Sequence, residues 1–161
     1  MRHQVMQSMI SYFDRDIERI NHAIKVHGFA QLIGKLEQLA PQQRYILEIA
    51  AIVHDIGIPA AVQKFGSAGG KYQELEGPPI AREMLTACHV DPDVIDRVVY
   101  LVGHHHSYSK IEGLDFQILV EADILVNIHE QAFQEGAIGQ IKRRIFKTDA
   151  GQDLVYRLYG V

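Results

Sequence analysis

The stretch LEIAAIVHDIGIP, residues 47–59, decides the fold. Leu47 to Val53 is apolar and helix-forming apart from Glu48, and it runs directly into His54 and Asp55. Gly57 and Pro59 then read as the end of that helix. Burying two adjacent polar side chains costs free energy unless each finds a partner. The sequence around this stretch has to supply that partner.

Outward from it, the chain reads as helix after helix. Upstream, Pro41 suits the first position of a helix whose stripe is Ile46, Ile49, Ala50 and Val53. Before that, RDIERINHAIKVHGFAQLIGKLEQL places Ile17, Ile20, Ile24, Phe29 and Leu32 at three-and-four spacing, with Asp14 or Asp16 available as a cap. Downstream, FGSAGGKYQ (65–73) carries a glycine-rich loop signal, and a helix is expected from about Pro78 to Cys88 with a start as early as Gln73. DPDVIDRVVYLVGHHH opens with Asp91 and Pro92 and turns Val94, Ile95, Val98, Leu101 and Val102 inward. HSYSKIEGLD reads as a loop, and FQILVEADILVNIHEQAF is the most apolar helix. The tail reads as a basic helix, a turn and a short closing helix. No hairpin chemistry stands out. The expected class is all-α, one domain over residues 1–161.

Composition narrows the function classes. The chain is 47% hydrophobic and 22% charged, enough for a sizeable core in 161 residues. Its formal net charge of -4 lacks the basic footprint of a nucleic-acid binder. No run approaches the roughly 18 consecutive apolar residues of a membrane span, and the N-terminus lacks signal-peptide features. One cysteine, Cys88, rules out an internal disulfide, so a cytoplasmic location is expected. Nine histidines are the unusual feature.

Several of those histidines interrupt apolar faces. His22 lies among Ile17, Ile20, Ile24 and Val26. His54 and Asp55 end one helix, and His104, His105 and His106 end another. Asp123 sits within ILVEADILV, where a buried carboxylate needs a cation. Imidazole and carboxylate together suit a divalent metal, which would leave open positions for water and substrate. Each residue alone has a structural explanation; the combination points to a metal site.

In this order, His22, then His54–Asp55, then Asp123, the sequence resembles the HD-domain metal-dependent phosphohydrolases. NHAIKVHGFA, AAIVHDIGIP, LVGHHHSYSK and ILVEADILVNI are similar to the family's successive motifs and span about residues 15–130, with a C-terminal helical extension at 133–161. The resemblance implies an HD-type helical bundle around a central metal. It implies hydrolysis of a phosphate ester or anhydride of a small molecule, often a nucleotide; charge and hydropathy, as above, argue against a nucleic-acid or membrane partner. His22, His54, Asp55 and Asp123 would be the ligands of one divalent ion (Mn, Fe, Ni, Zn or Mg), with His27 a rival for the first. Asp55 would also orient the attacking water. His104 or His105 would act on the substrate or hold a second metal, and His106 would face solvent.

The departures from the family pattern matter. Ile58 stands where many members have a lysine, so Lys64 or Lys71 would have to replace a phosphate contact. Two-metal members usually have a histidine on the helix after the glycine-rich loop; here KYQELEGPPIA has none, and Glu74 or Glu76 could serve as acid, base or ligand. Lys71, Arg82 and Lys110 are candidate phosphate contacts, as is one of Lys142, Arg143 and Arg144. The loop 65–73 is a candidate flap. Two alternatives stay open: a two-metal, di-iron oxygenase-like centre, and a non-enzymatic domain that binds a nucleotide or a partner protein.

Overall fold

The computed structural model describes all of residues 1–161. It contains nine α-helices, one 3₁₀ turn and no strand. The helices are α1 Arg2–Phe13, α2 Ile17–Leu36, α3 Pro41–Val53, α4 Ile58–Phe65, α5 Gly70–Ala87, α6 Pro92–Val102, α7 Leu114–Glu130, α8 Glu135–Ile145 and α9 Asp149–Tyr159, with the 3₁₀ turn at Tyr108–Lys110 between α6 and α7.

Helix α3 is the axis of the bundle. Every side chain from Ile46 to Val53 is buried, because α1, α2, α6 and α7 all pack on it. Helix α7 is enclosed in the same way, with Phe116, Ile118, Leu119 and Val120 among its buried residues. Helix α6 presents the expected stripe of Val94, Ile95, Val98, Leu101 and Val102, each burial contributing about 1.5–3 kcal/mol. Together α2, α3 and α7 form the layer that carries the polar cluster, and α5 and α6 close it from the other side.

Helix α2 departs from its expected stripe. Ile17, Ile24 and Leu32 are exposed, and the buried face is instead Ile20, Ala23, Val26, Ala30, Ile33 and Gly34, with His22 beside it. The physical reason is distance. Small side chains let α2 lie close against α3 and α7, so that His22 can reach residues on both. Asp16 caps this helix, accepting from the Arg19 amide at 3.2 Å.

The segment after His54 also differs from expectation. The helix does stop, at Val53, but the turn His54–Gly57 leads straight into α4, with Pro59 in its first turn where proline is favoured. Gly57 is needed for packing. A Cβ there would stand 2.6 Å from the Gly77 amide nitrogen and 2.7 Å from the Gln73 carbonyl oxygen. Helix α5 therefore crosses the His54–Asp55 turn backbone against backbone. That helix starts at Gly70 and runs through Pro78 and Pro79, so the expected flap at 65–73 shrinks to a short connection. Ahead of the first expected helix stands α1, which buries Val5, Met9 and Phe13.

The run Pro41–Phe65 is long and apolar enough to cross a membrane by length and composition, yet most of it is buried inside the bundle. The C-terminal extension is fastened by Glu121, a fully buried carboxylate. It accepts from the Lys147 amide at 2.6 Å, the Thr148 amide at 3.0 Å, the Gln117 side chain at 2.7 Å and the Thr148 hydroxyl. These donors satisfy Glu121 without a cation. Asp123, two residues on and facing the opposite way, has a different environment.

Candidate metal centre

Four polar residues from α2, the α3–α4 turn and α7 converge at the middle of the bundle. His22 Nε2 lies 3.2 Å from His54 Nε2, 3.1 Å from Asp123 Oδ1 and 3.4 Å from Asp55 Oδ2. His54 Nε2 lies 3.5 Å from Asp55 Oδ2 and 3.6 Å from Asp123 Oδ1. His22, His54 and Asp123 are buried, and Asp55 is nearly so.

The outer hydrogen bonds fix what these atoms offer. His22 Nδ1–H donates to Glu130 Oε2 at 2.8 Å, and Lys25 pairs with the same carboxylate. His54 Nδ1–H donates to the Ala51 carbonyl at 2.9 Å. Each neutral ring therefore turns a lone pair, at Nε2, toward the other ring and toward two carboxylates. Two imidazole lone pairs and two carboxylate oxygens face one another with no donor between them. Asn127 alone adds a donor, to Asp123 Oδ1 at 3.0 Å. Such a group of acceptors is stable only around a positive charge. Around an ion bound at roughly 2.1 Å, neighbouring ligand atoms stand about 3.0–3.4 Å apart, close to the spacings here. The residues present fit a metal.

Protons are the other positive charge that can fill the gap, and the titration behaviour follows. Burial alone would lower both imidazoles. Asp55 and the hydrogen bond to Asp123 override it and pull His54 up to about 9; the Asp123 bond likewise raises His22. Against the same burial, His54 and then His105 hold Asp55 down at about 2, and His22 and His54 hold Asp123 below the usual carboxylate range.

A second group adjoins the first through Asp55. Asp55, His105 and His106 bring ligand atoms together, with His105 Nε2 at 3.4 Å from Asp55 Oδ1. His105 Nδ1–H donates to the Val102 carbonyl at 2.9 Å, so its Nε2 lone pair is buried and lacks a hydrogen-bond partner. His106 Nε2–H donates to Gln73 Oε1 at 3.1 Å, and burial followed by His105 pushes its pKa down to about 4. The loop carrying these histidines is held by Arg97, whose guanidinium grips both Asp115 oxygens at 2.7 and 2.8 Å.

Of the other residues singled out from sequence, His105 reaches the cluster and His104 does not. His104 stacks on Tyr100 and bonds the Tyr100 carbonyl, because the chain leaves α6 at Gly103 and turns it outward. His106 lines the cleft rather than facing solvent. Glu74 does not face the cluster; it holds the histidine turn, accepting from the His106 amide and the Ser107 hydroxyl at 3.0 Å. Arg82 pairs with Asp96 on the surface, Lys64 pairs with Glu76, and Lys71 lies over the Tyr72 ring. None of Arg82, Lys71 or Lys110 lines the cleft at the cluster. His27 has its own buried surroundings near Glu48 and Arg2, away from the convergence. The residues missed from sequence are Gln73, Asn127 and Glu130. The last two follow Asp123 by four and seven positions, so all three share one face of α7.

The HD domain family model matches residues 19–147. The fold is similar to the crystal structure of a predicted HD superfamily hydrolase from an uncultured Thermotogales bacterium, with a TM-score of 0.70 and 22% identity, covering 98% of this chain and 84% of that one. No curated protein matches the sequence. With the family match spanning most of the chain and the His–Asp pair at its buried convergence, this protein belongs to the HD domain family.

Proposed function

We propose that the protein is a metal-dependent phosphohydrolase acting on a small phosphorylated molecule such as a nucleotide. The observation that carries this reading is the set of imidazole lone pairs and carboxylates converging with no donor among them, at the floor of an open cleft. His22, His54, Asp55 and Asp123 would hold one divalent ion, with Mn, Fe, Ni, Zn and Mg all compatible with this donor set. When bound, the ion would supply Lewis acidity toward a phosphoryl oxygen and acidify a water.

The chain's own residues do the rest. Glu130 and the Ala51 carbonyl fix the two ligand imidazoles so that Nε2 faces inward. Asp55 presents one oxygen to the ligand cluster and the other toward His105, which places it to orient the attacking water. His105, whose Nε2 faces Asp55 Oδ1 at 3.4 Å, would take up that water's proton through this contact. No histidine follows the glycine-rich loop on α5, which favours one ion over two. Elemental analysis of protein purified without added metal tests this. About one equivalent of a transition metal, lost in Asp123→Ala, together with turnover of a generic phosphate ester, is expected. About two equivalents of iron would transfer the reading to a two-metal oxygenase-like centre. An intact metal content in Asp123→Ala would defeat the ligand assignment.

A further inference from the structure

The cleft over the metal centre has two unlike halves. One, of about 340 Å³, is polar and acidic: Asp16, Glu18 and Glu130 line it beside Asp55 and Asp123. Its one cationic side chain, Arg19, is already paired with Asp16 at 3.0 Å. The other half, of about 450 Å³, lies between α7 and α8 and falls within the size range of small-molecule sites. Its walls are largely apolar, built from Tyr108, Ile124, Phe133, Ile141 and Ile145. The halves meet at His106, Asp123, Asn127 and Gln131, so both open onto the same ligand face.

The cationic side chains are few. Arg144 lines the apolar half and is its only one, and it forms no ion pair with the protein's carboxylates. A divalent ion bound by two neutral imidazoles and two carboxylates has its charge cancelled. An incoming phosphoryl dianion then has Arg144 as its one unpaired cationic partner. A further phosphate would find no second unpaired cation in either half, and in the polar half it would lie against Asp16, Glu18 and Glu130, where like charges repel.

We propose that, given the phosphohydrolase reading above, the substrate is a phosphate monoester with a compact, largely apolar alcohol portion, seated between α7 and α8, and that Arg144 and the Phe133–Ile141 wall set this selectivity. Of the three consecutive basic residues Lys142, Arg143 and Arg144, only the last lines this half of the cleft. The register explains it: Ala137, Gln140, Ile141 and Arg144 share one face of α8.

The test is calorimetric titration of the metal-loaded full chain with non-hydrolysable probes: phenylphosphonate, methylphosphonate and the β,γ-imido analogue of adenosine triphosphate. Phenylphosphonate binds at least tenfold more tightly than methylphosphonate, and the triphosphate analogue binds no more tightly than phenylphosphonate. Arg144→Gln, at an exposed position, weakens both phosphonates about tenfold. Ile141→Ser, which removes the apolar wall without placing a charge beside Arg144, erases the preference for the phenyl group. Ala137→Trp, at an exposed rim position that leaves the core untouched, fills the pocket and does the same. In both variants the methylphosphonate affinity and metal content stay as they were. Equal affinity for the two phosphonates, a tighter triphosphate analogue, or a phenyl preference that survives Ala137→Trp overturns the inference and leaves the hydrolase reading standing. Failure of every phosphonate to bind the loaded protein overturns both.

Discussion

At the scale of single residues, the site is governed by which ring nitrogen faces inward. His22 is aimed by Glu130, which lies on the far side of the ring from the carboxylates that the ring serves. Removing such an outer partner typically costs ten- to a hundredfold in metal affinity. Glu130→Ala is therefore expected to weaken metal binding by that factor in a competitive chelator titration while the fold persists, since Glu130 is largely exposed. An unchanged affinity would mean that α2 alone orients the ring. The four inner residues were legible because each breaks an apolar pattern. Glu130 was not, because a carboxylate at a helix end has an ordinary surface explanation. The three histidines 104–106 could not be ranked by helical spacing, because the chain is no longer helical there: Gly103 ends α6, and the turn directs His104 outward and His105 inward.

At the scale of elements, the crossing of α5 over the His54–Asp55 turn controls the position of two ligands. Gly57 makes that crossing possible, and Gly77 on α5 lies tight against Val102 of α6. In Gly57→Ala the new methyl meets main-chain atoms at 2.6–2.8 Å, and main chain cannot swing aside as a side chain can. The expected loss lies at or beyond the upper end of the about 1–3 kcal/mol usual for overpacking. For a chain of this size that lowers the thermal midpoint by roughly 6–12 °C or more, and metal content should fall with it. A variant as stable as the parent would show that the crossing is looser than these distances imply. The sequence shows Gly57 only as part of a helix stop, because glycine carries no record of which backbone it touches. The same blindness hid the true start of α5, where prolines at 78 and 79 suggest a beginning, yet the helix runs through them. Helix α1 was legible in principle: Val5, Met9 and Phe13 recur every four residues.

At the scale of the whole molecule, the bundle is assembled around a gap that has to be filled by positive charge, and stability should report what fills it. In metal-free protein the filler is a proton, and His54 is raised from its ordinary value to about 9. A group with a raised folded-state pKa contributes stability that is fully present below its unfolded value, near 6.5, and is lost as pH rises through the folded value. Metal-free protein should therefore lose thermal stability steadily between about pH 6.5 and pH 9. Asp55, held down at about 2, acts in the opposite sense: its contribution is present above about pH 4 and is lost as pH falls toward 2. A bound ion takes the place of the proton, so loaded protein should show a flat midpoint across pH 6.5–9, and its metal affinity should rise with pH over the same window. Binding near pH 7.5 should release about one proton, read as a dependence of the calorimetric heat on buffer ionisation enthalpy. If metal-free and loaded protein instead trace parallel stability curves from pH 6.5 to 9, proton and ion do not compete for the cluster, and the ion, if any, lies elsewhere in the molecule.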